Sequence, residues 1–206
     1  MTLLRFFRAF RATPFRASIA ALGLALPLVL FSTGAQAAFD IAQLMQELAQ
    51  HKGGRASFVE KKYLAILDKP LITKGEMRYQ APDRLEKRST GPKPEVMILD
   101  KDTLTLERDQ KTYTISLSQQ PAARAFVDSI RGTLSGDRSA LEKNYLLHLS
   151  GTREQWVLTL LPSDSQIATL VQRITVSGRQ RQIATIEYLL ADGDRTVLSI
   201  EPLNQP

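Results

Sequence analysis

The chain has no cysteine, and that absence removes two stabilising devices at once. Neither a disulfide nor a thiolate zinc site can be built, so the fold must rest on core packing. Imidazole is scarce as well. His51 and His148 stand far apart in sequence, and the expectation is no metal and no cofactor. H-E-x-x-H and G-x-S-x-G do not occur, and S-x-x-K does not occur after residue 37. No local spacing points to hydrolysis, and the chain reads as a non-enzyme. Acidic residues are missing from the first 37 positions, where four of the 27 Lys and Arg lie. The remaining 169 residues therefore carry a charge of only +2. A nucleic-acid binder would concentrate basic charge on one face, so no nucleic acid is expected as a partner. Low-complexity linkers and internal repeats are also absent, which leaves one domain with a sizeable core.

What is present begins with an address. Arg5, Arg8, Arg11 and Arg16 form a basic start, residues 17–31 an uncharged apolar middle, and Ala35-Gln36-Ala37 a small-residue end. These are the three parts of a secretory signal. A membrane span needs about 20 apolar residues. The run here has 15 and is interrupted by Pro27. The reading is a signal peptide over 1–37, cleaved after Ala37, and a periplasmic domain over 38–206.

Periodicity then organises the domain. Residues 40–51 form an amphipathic helix, with Asp40 as N-cap and Ile41, Leu44, Met45 and Leu48 on one face, stopped by Gly53-Gly54. From 55 the period becomes two. Strands are expected at 55–67, 71–80, 84–90, 94–100, 103–108 and 112–117. A second helix over 122–134 presents Phe126, Val127, Ile130 and Leu134, and a short third begins at Asp137. Strands return at 144–151, 154–161, 167–177, 181–190 and 195–201, with hairpins marked by Gly178 and by Asp192-Gly193-Asp194. No helix-sized gap separates neighbouring strands, so the pairing is antiparallel. The fold class is α+β, mainly β: an incomplete antiparallel β-barrel of about 11 strands with an α-helical lid over an apolar cavity.

A strongly curved sheet has a concave face that must be filled. The short amphipathic helices are the elements available to cover it. A loosely covered apolar cavity suits an acyl chain, whose burial yields roughly 0.8 kcal/mol per methylene without specific polar contacts. Strand alternation and the lid stripe give the candidate lining: Phe58, Met77, Tyr79, Leu85, Met97, Leu104, Leu106, Tyr113, Ile115, Phe126, Ile130, Leu134, Trp156 and Leu158. Met77 and Met97 would let such a lining adapt to different chains. Lys61, Lys62, Arg84, Lys87 and Arg88 are interleaved with Glu60, Asp83 and Glu86, and mixed signs of this kind are expected on a solvated strand face.

The order of motifs resembles the periplasmic outer-membrane lipoprotein carrier (LolA-like) family over the whole domain. Ala56-Ser57-Phe58-Val59-Glu60 is similar to the family's A-S-F-x-Q. Gly75-Glu76-Met77-Arg78-Tyr79, followed by Ala81-Pro82-Asp83-Arg84-Leu85, resembles its G-x-hydrophobic strand and R-P segment. The stretch from Ile98 to Leu104 resembles its V-S-D-G-K-x-L hairpin, and Trp156 to Pro162 its F-x-L-x-P strand. The resemblance implies an open barrel with a helical lid, working as a monomer that carries acyl chains of lipoproteins or a related lipid. It also implies an inner-membrane exporter that loads the carrier and an outer-membrane receptor that unloads it. A lipid-responsive periplasmic sensor or interaction module of the same fold is the alternative. Two departures stand out. Ala81 occupies the place of the arginine with which the family latches its lid, and Asp100-Lys101-Asp102 lacks the family's hairpin glycine. With no guanidinium at 81, the expected latch is apolar packing of Phe126, Ile130 and Leu134.

Overall fold

A computed structural model describes residues 39–203 other than Pro92, so the expected signal peptide and its expected cleavage point lie outside the described residues. The chain runs α1 (Ile41–Leu48), β1 (Gly53–Tyr63), β2 (Leu71–Gln80), β3 (Arg84–Thr90), β4 (Glu95–Asp100), β5 (Thr103–Arg108) and β6 (Lys111–Ser116). A 3-10 turn (Leu117–Gln119) leads into α2 (Pro121–Ser135) and α3 (Arg138–Glu142). β7 (Tyr145–Thr152), β8 (Gln155–Pro162), the helical turn α4 (Ser165–Ala168), β9 (Val171–Arg179), β10 (Gln182–Leu190) and β11 (Arg195–Pro202) complete it. No helix among the described residues is long and apolar enough to cross a membrane.

All eleven strands join one antiparallel sheet in the order β6-β5-β4-β3-β2-β1-β11-β10-β9-β8-β7. The edge strands β6 and β7 do not pair with each other, so the barrel is incomplete, as the sequence predicts. The helices pack on one face of this sheet. Leu44, Met45 and Leu48 of α1 join Trp156, Leu158, Leu160, Ile174 and Val176 in the main core, and Ala125 of α2 and Leu141 of α3 join the same cluster. Val127 of α2 closes a second, smaller cluster with Leu99 and Leu117.

Local chemistry sets the helix ends. Asp40 accepts from the Gln43 N–H at 2.8 Å, and the Gln43 side chain returns to the Asp40 N–H, closing a capping box around a helix of only eight residues. α2 starts at Pro121, whose fixed φ suits a first helical turn. It ends at Gly136 in the left-handed region, φ 67°, where a Cβ would stand 2.1 Å from the Met45 carbonyl oxygen. That glycine lets the end of α2 sit directly against α1. Asp137 then caps α3, accepting from the Ala140 N–H at 3.0 Å.

Three expectations are corrected. The first strand stops at Tyr63 and not at 67, because the Ala65 N–H turns to Asp194 Oδ1 at 2.9 Å and the Leu67 N–H to the Leu64 carbonyl. The strand expected from 167 begins at Val171, because Asp164 caps residues 165–168 into a helical turn that buries Ile167. Gly178 lies within β9, not in a hairpin turn. A Cβ there would come within 2.4 Å of the Trp156 ring, so the glycine is required by packing, and the chain turns at Gln180, φ 50°.

Candidate functional site

The register of β1 to β6 carries one face of the sheet from strand to strand. Ala56 stands opposite Met77, Met77 opposite Lys87, Lys87 opposite Met97, then Leu106 and Tyr113. One step along the strands, Gly54, Tyr79, Leu85, Leu99, Leu104 and Ile115 form the next row. On the other side of β1, Glu60 faces Leu198, which faces Ile186. These rows and the underside of α2 enclose a cavity of about 710 Å³. That volume lies within the roughly 300–1,000 Å³ usual for small-molecule sites. Its wall is mostly aliphatic and aromatic, and it spans β1 from Gly54 to Lys62.

Nine of the fourteen candidate residues line this cavity: Met77, Tyr79, Leu85, Met97, Leu104, Ile115, Phe126, Ile130 and Leu134. Five do not. Leu106 and Tyr113 share the correct face but lie nearer the β5–β6 turn, where Tyr113 is 44% exposed. Trp156 and Leu158 are fully buried in the half of the sheet that α1 covers, with Trp156 Nε1 donating to the Gln180 carbonyl at 2.9 Å. Phe58 is buried in the core, and Lys87 Nζ lies 4.9 Å from its ring centroid. Its cross-strand neighbour Gly75 could not carry a side chain, since a Cβ would meet the Arg88 carbonyl oxygen at 1.9 Å.

The lid is attached by Phe126, itself on the cavity wall, and by the residues beside it. Phe126 meets Tyr188 of β10 at a centroid distance of 5.0 Å and an interplanar angle of 51°. The Tyr145 hydroxyl donates to the Ala125 carbonyl at 3.2 Å, and Val127 packs on Leu99 and Leu117. An ionic contact joins α2 to the β4–β5 turn: Arg124 Nη1 lies 3.8 Å from Asp102 Oδ1, with both side chains about half exposed. Hydrogen bonding from Ser118, aided by Arg124, holds the Asp102 carboxyl below its usual range. Ala81 offers only its backbone, and its N–H donates to Lys52.

The expectation of a wholly solvated basic face is corrected. Arg84 pairs with Asp100, and Arg88 pairs with Glu86. Glu60, Lys62 and Lys87, however, all line the cavity. Lys87 Nζ is 2.7 Å from Glu60 Oε1, and these side chains are only 16% and 9% exposed. Lys62 Nζ approaches the other carboxylate oxygen at 3.6 Å. The signal was available, because Glu60 and Lys62 share the side of Phe58 in the two-residue period, and Lys87 shares that of Leu85. Tyr188, also on the wall, was missed as well. Burial pushes its phenol above the ordinary tyrosine value, and the charge of Glu60 adds to the shift.

A sequence profile described as outer membrane lipoprotein carrier protein LolA-like matches residues 33–200. The chain belongs to that family. No curated protein sequence matches this LolA-like chain. Among solved structures it is similar to a LolA superfamily protein from Nitrosomonas europaea, at 10% identity and a TM-score of 0.42, over 82% of this chain and 96% of that one. It is similar to a chain of the MucA/MucB complex of Pseudomonas aeruginosa, at 15% identity and a TM-score of 0.46, over 81% of this chain but 57% of that one. The lipoprotein LppX of Mycobacterium tuberculosis matches at 9% identity and a TM-score of 0.43, over 81% and 96%.

Proposed function

We propose that this LolA-like protein is a non-enzymatic periplasmic carrier. It takes the acyl chains of lipoproteins, or of a related lipid, into the cavity beneath α2 and shuttles them toward the outer membrane. The observation that carries the reading is the cavity itself, about 710 Å³ and walled by apolar residues from both sheet and lid. Ten buried methylenes would contribute roughly 8 kcal/mol before the cost of immobilising the ligand, enough for useful affinity without a catalytic or metal centre. Family membership supports the same role. The signal read over residues 1–37 supplies the compartment, and an inner-membrane exporter and outer-membrane receptor are the partners such a carrier needs.

Gentle purification from the periplasm, organic extraction and mass spectrometry test the proposal. Co-purifying acylated species support a carrier. A protein that is empty as isolated and takes up no acyl probe overturns it and favours an interaction module. The intact mass from the same sample should begin at Ala38, and a mass retaining residues 1–37 would reject the processing.

A further inference from the structure

Most of the cavity wall is apolar, and besides Gln50, His51, Arg55, Arg181 and Gln182 it carries one paired charged cluster of definite composition. Glu60 and Lys62 of β1 and Lys87 of β3 converge there, one carboxylate between two ammonium groups. Glu60 and Lys87 are almost wholly withdrawn from water. Charges placed against apolar surface are costly unless paired, so an ordinary cavity wall would carry none. Here the pairing is also incomplete in charge, since two cations share one anion and leave a net +1. An ammonium has three N–H donors. Lys87 gives one to Glu60, has the Phe58 ring at 4.9 Å, and bonds no other acceptor among the described residues. Its remaining donors are available to something in the cavity. Glu60 fixes the position of Nζ, as a carboxylate holds a cation in a preorganised anion site.

Resting on the acyl-chain reading above, we infer that this cluster seats the anionic oxygen head of an acyl ligand, a carboxylate or a phosphate. Lys87 and Lys62 would bond the head while the chain lies along the apolar wall. The cavity would then favour anionic amphiphiles over neutral acyl esters and alcohols of the same length, which narrows the cargo class.

Displacement of a neutral apolar fluorophore, N-phenylnaphthylamine, from the full mature chain tests this. The competitors are dodecanoate, dodecyl phosphate, dodecanol and methyl dodecanoate. The anionic pair should displace about tenfold better than the neutral pair, the gain expected of a charge-assisted hydrogen bond. The stronger of the two anions identifies the head group. Lys87→Met should abolish the preference, read as the ratio of anionic to neutral displacement within the variant. Lys62→Met, at a more exposed position that folding tolerates, should reduce the preference in the same direction. Equal displacement by all four competitors, or a preference that survives both substitutions, overturns the inference and leaves the acyl-chain reading standing. Failure of the fluorophore and of every competitor to bind would instead defeat the acyl-chain reading itself.

Discussion

Phe126→Ala should loosen the lid while leaving the sheet folded. The ring of Phe126 sits at 5.0 Å and 51° to Tyr188, a tilted arrangement worth about 0.5–1.5 kcal/mol beyond its burial. Truncating a fully buried phenylalanine costs about 3–5 kcal/mol, and Phe126 is half-buried, so a loss of about 2 kcal/mol is expected. The other attachments remain: Val127 on Leu99 and Leu117, Tyr145 on the Ala125 carbonyl, and Gly132 against Leu141. The loss should therefore fall on lid closure more than on global unfolding. Affinity for N-phenylnaphthylamine, titrated from about 20 mM to about 500 mM NaCl, should drop roughly tenfold in the variant at either salt, because apolar contact is not screened. Asp102→Asn, which removes the exposed partner of Arg124, should leave affinity as it is. If Phe126→Ala binds like the parent, and the parent weakens steeply with salt, then charge holds the lid and the apolar latch is wrong.

Three further outcomes follow from named groups. Burial pushes the Tyr145 phenol up to about 12 from 10.0, with the charge of Asp128 adding and Ser129 opposing. The unfolded chain ionises first, so stability is full below pH 10 and falls as pH rises toward 12, at about 1.4 kcal/mol per unit. Denaturant midpoints should trace that fall, and Tyr145→Phe should flatten it, with Tyr188 supplying what remains; an unchanged slope would discard the assignment. Trp156→Ala should cost about 3–5 kcal/mol in equilibrium unfolding, since the ring is fully buried against Gly178 and its N–H satisfies Gln180. Lys101→Gly should raise stability by about 1 kcal/mol, because Lys101 holds φ 50° where the family carries glycine, and a lowered midpoint would show that its side chain contributes more than the strain.

The architecture was legible because each element carries a local signal that agrees with its neighbours. Asp40 and Asp137 announce helix starts by cap chemistry, and the structure shows both side chains accepting the expected N–H bonds. The strands from 71 to 117 fall within a residue or so of their predicted limits, because Pro, Gly and Asp pairs punctuate them. Two of the three corrected expectations fail where a distant partner decides, and the third where the local cap Asp164 starts a helical turn. Residues 64–67 leave the strand because Asp194, far along the chain, captures Ala65. Gly178 belongs to a strand because Trp156 packs on it.

The site was legible in face but not in extent. Alternation says which side chains point into the concavity, and it placed Trp156 and Leu158 on the same side as Met77. It cannot say which part of that side α1 fills and which part α2 leaves hollow. That division depends on Gly136 meeting the Met45 carbonyl, a contact between helices about ninety residues apart. The charged wall failed for a different reason. Mixed signs along β1 and β3 match an ordinary surface in composition, yet parity alone separates Arg84 and Arg88 from Leu85 and Lys87. A cation that shares a face with a leucine on a two-residue period must either end a hydrophobic row or be held inside it by an anion. Glu60, on the inward parity of its own strand, is that anion. An inward Glu–Lys pair on adjacent parts of a curved sheet is therefore a stronger pointer to a ligand's polar end than any single apolar residue is to its chain, because the fold gains little by burying it and, among the described residues, offers the lysine no further acceptor.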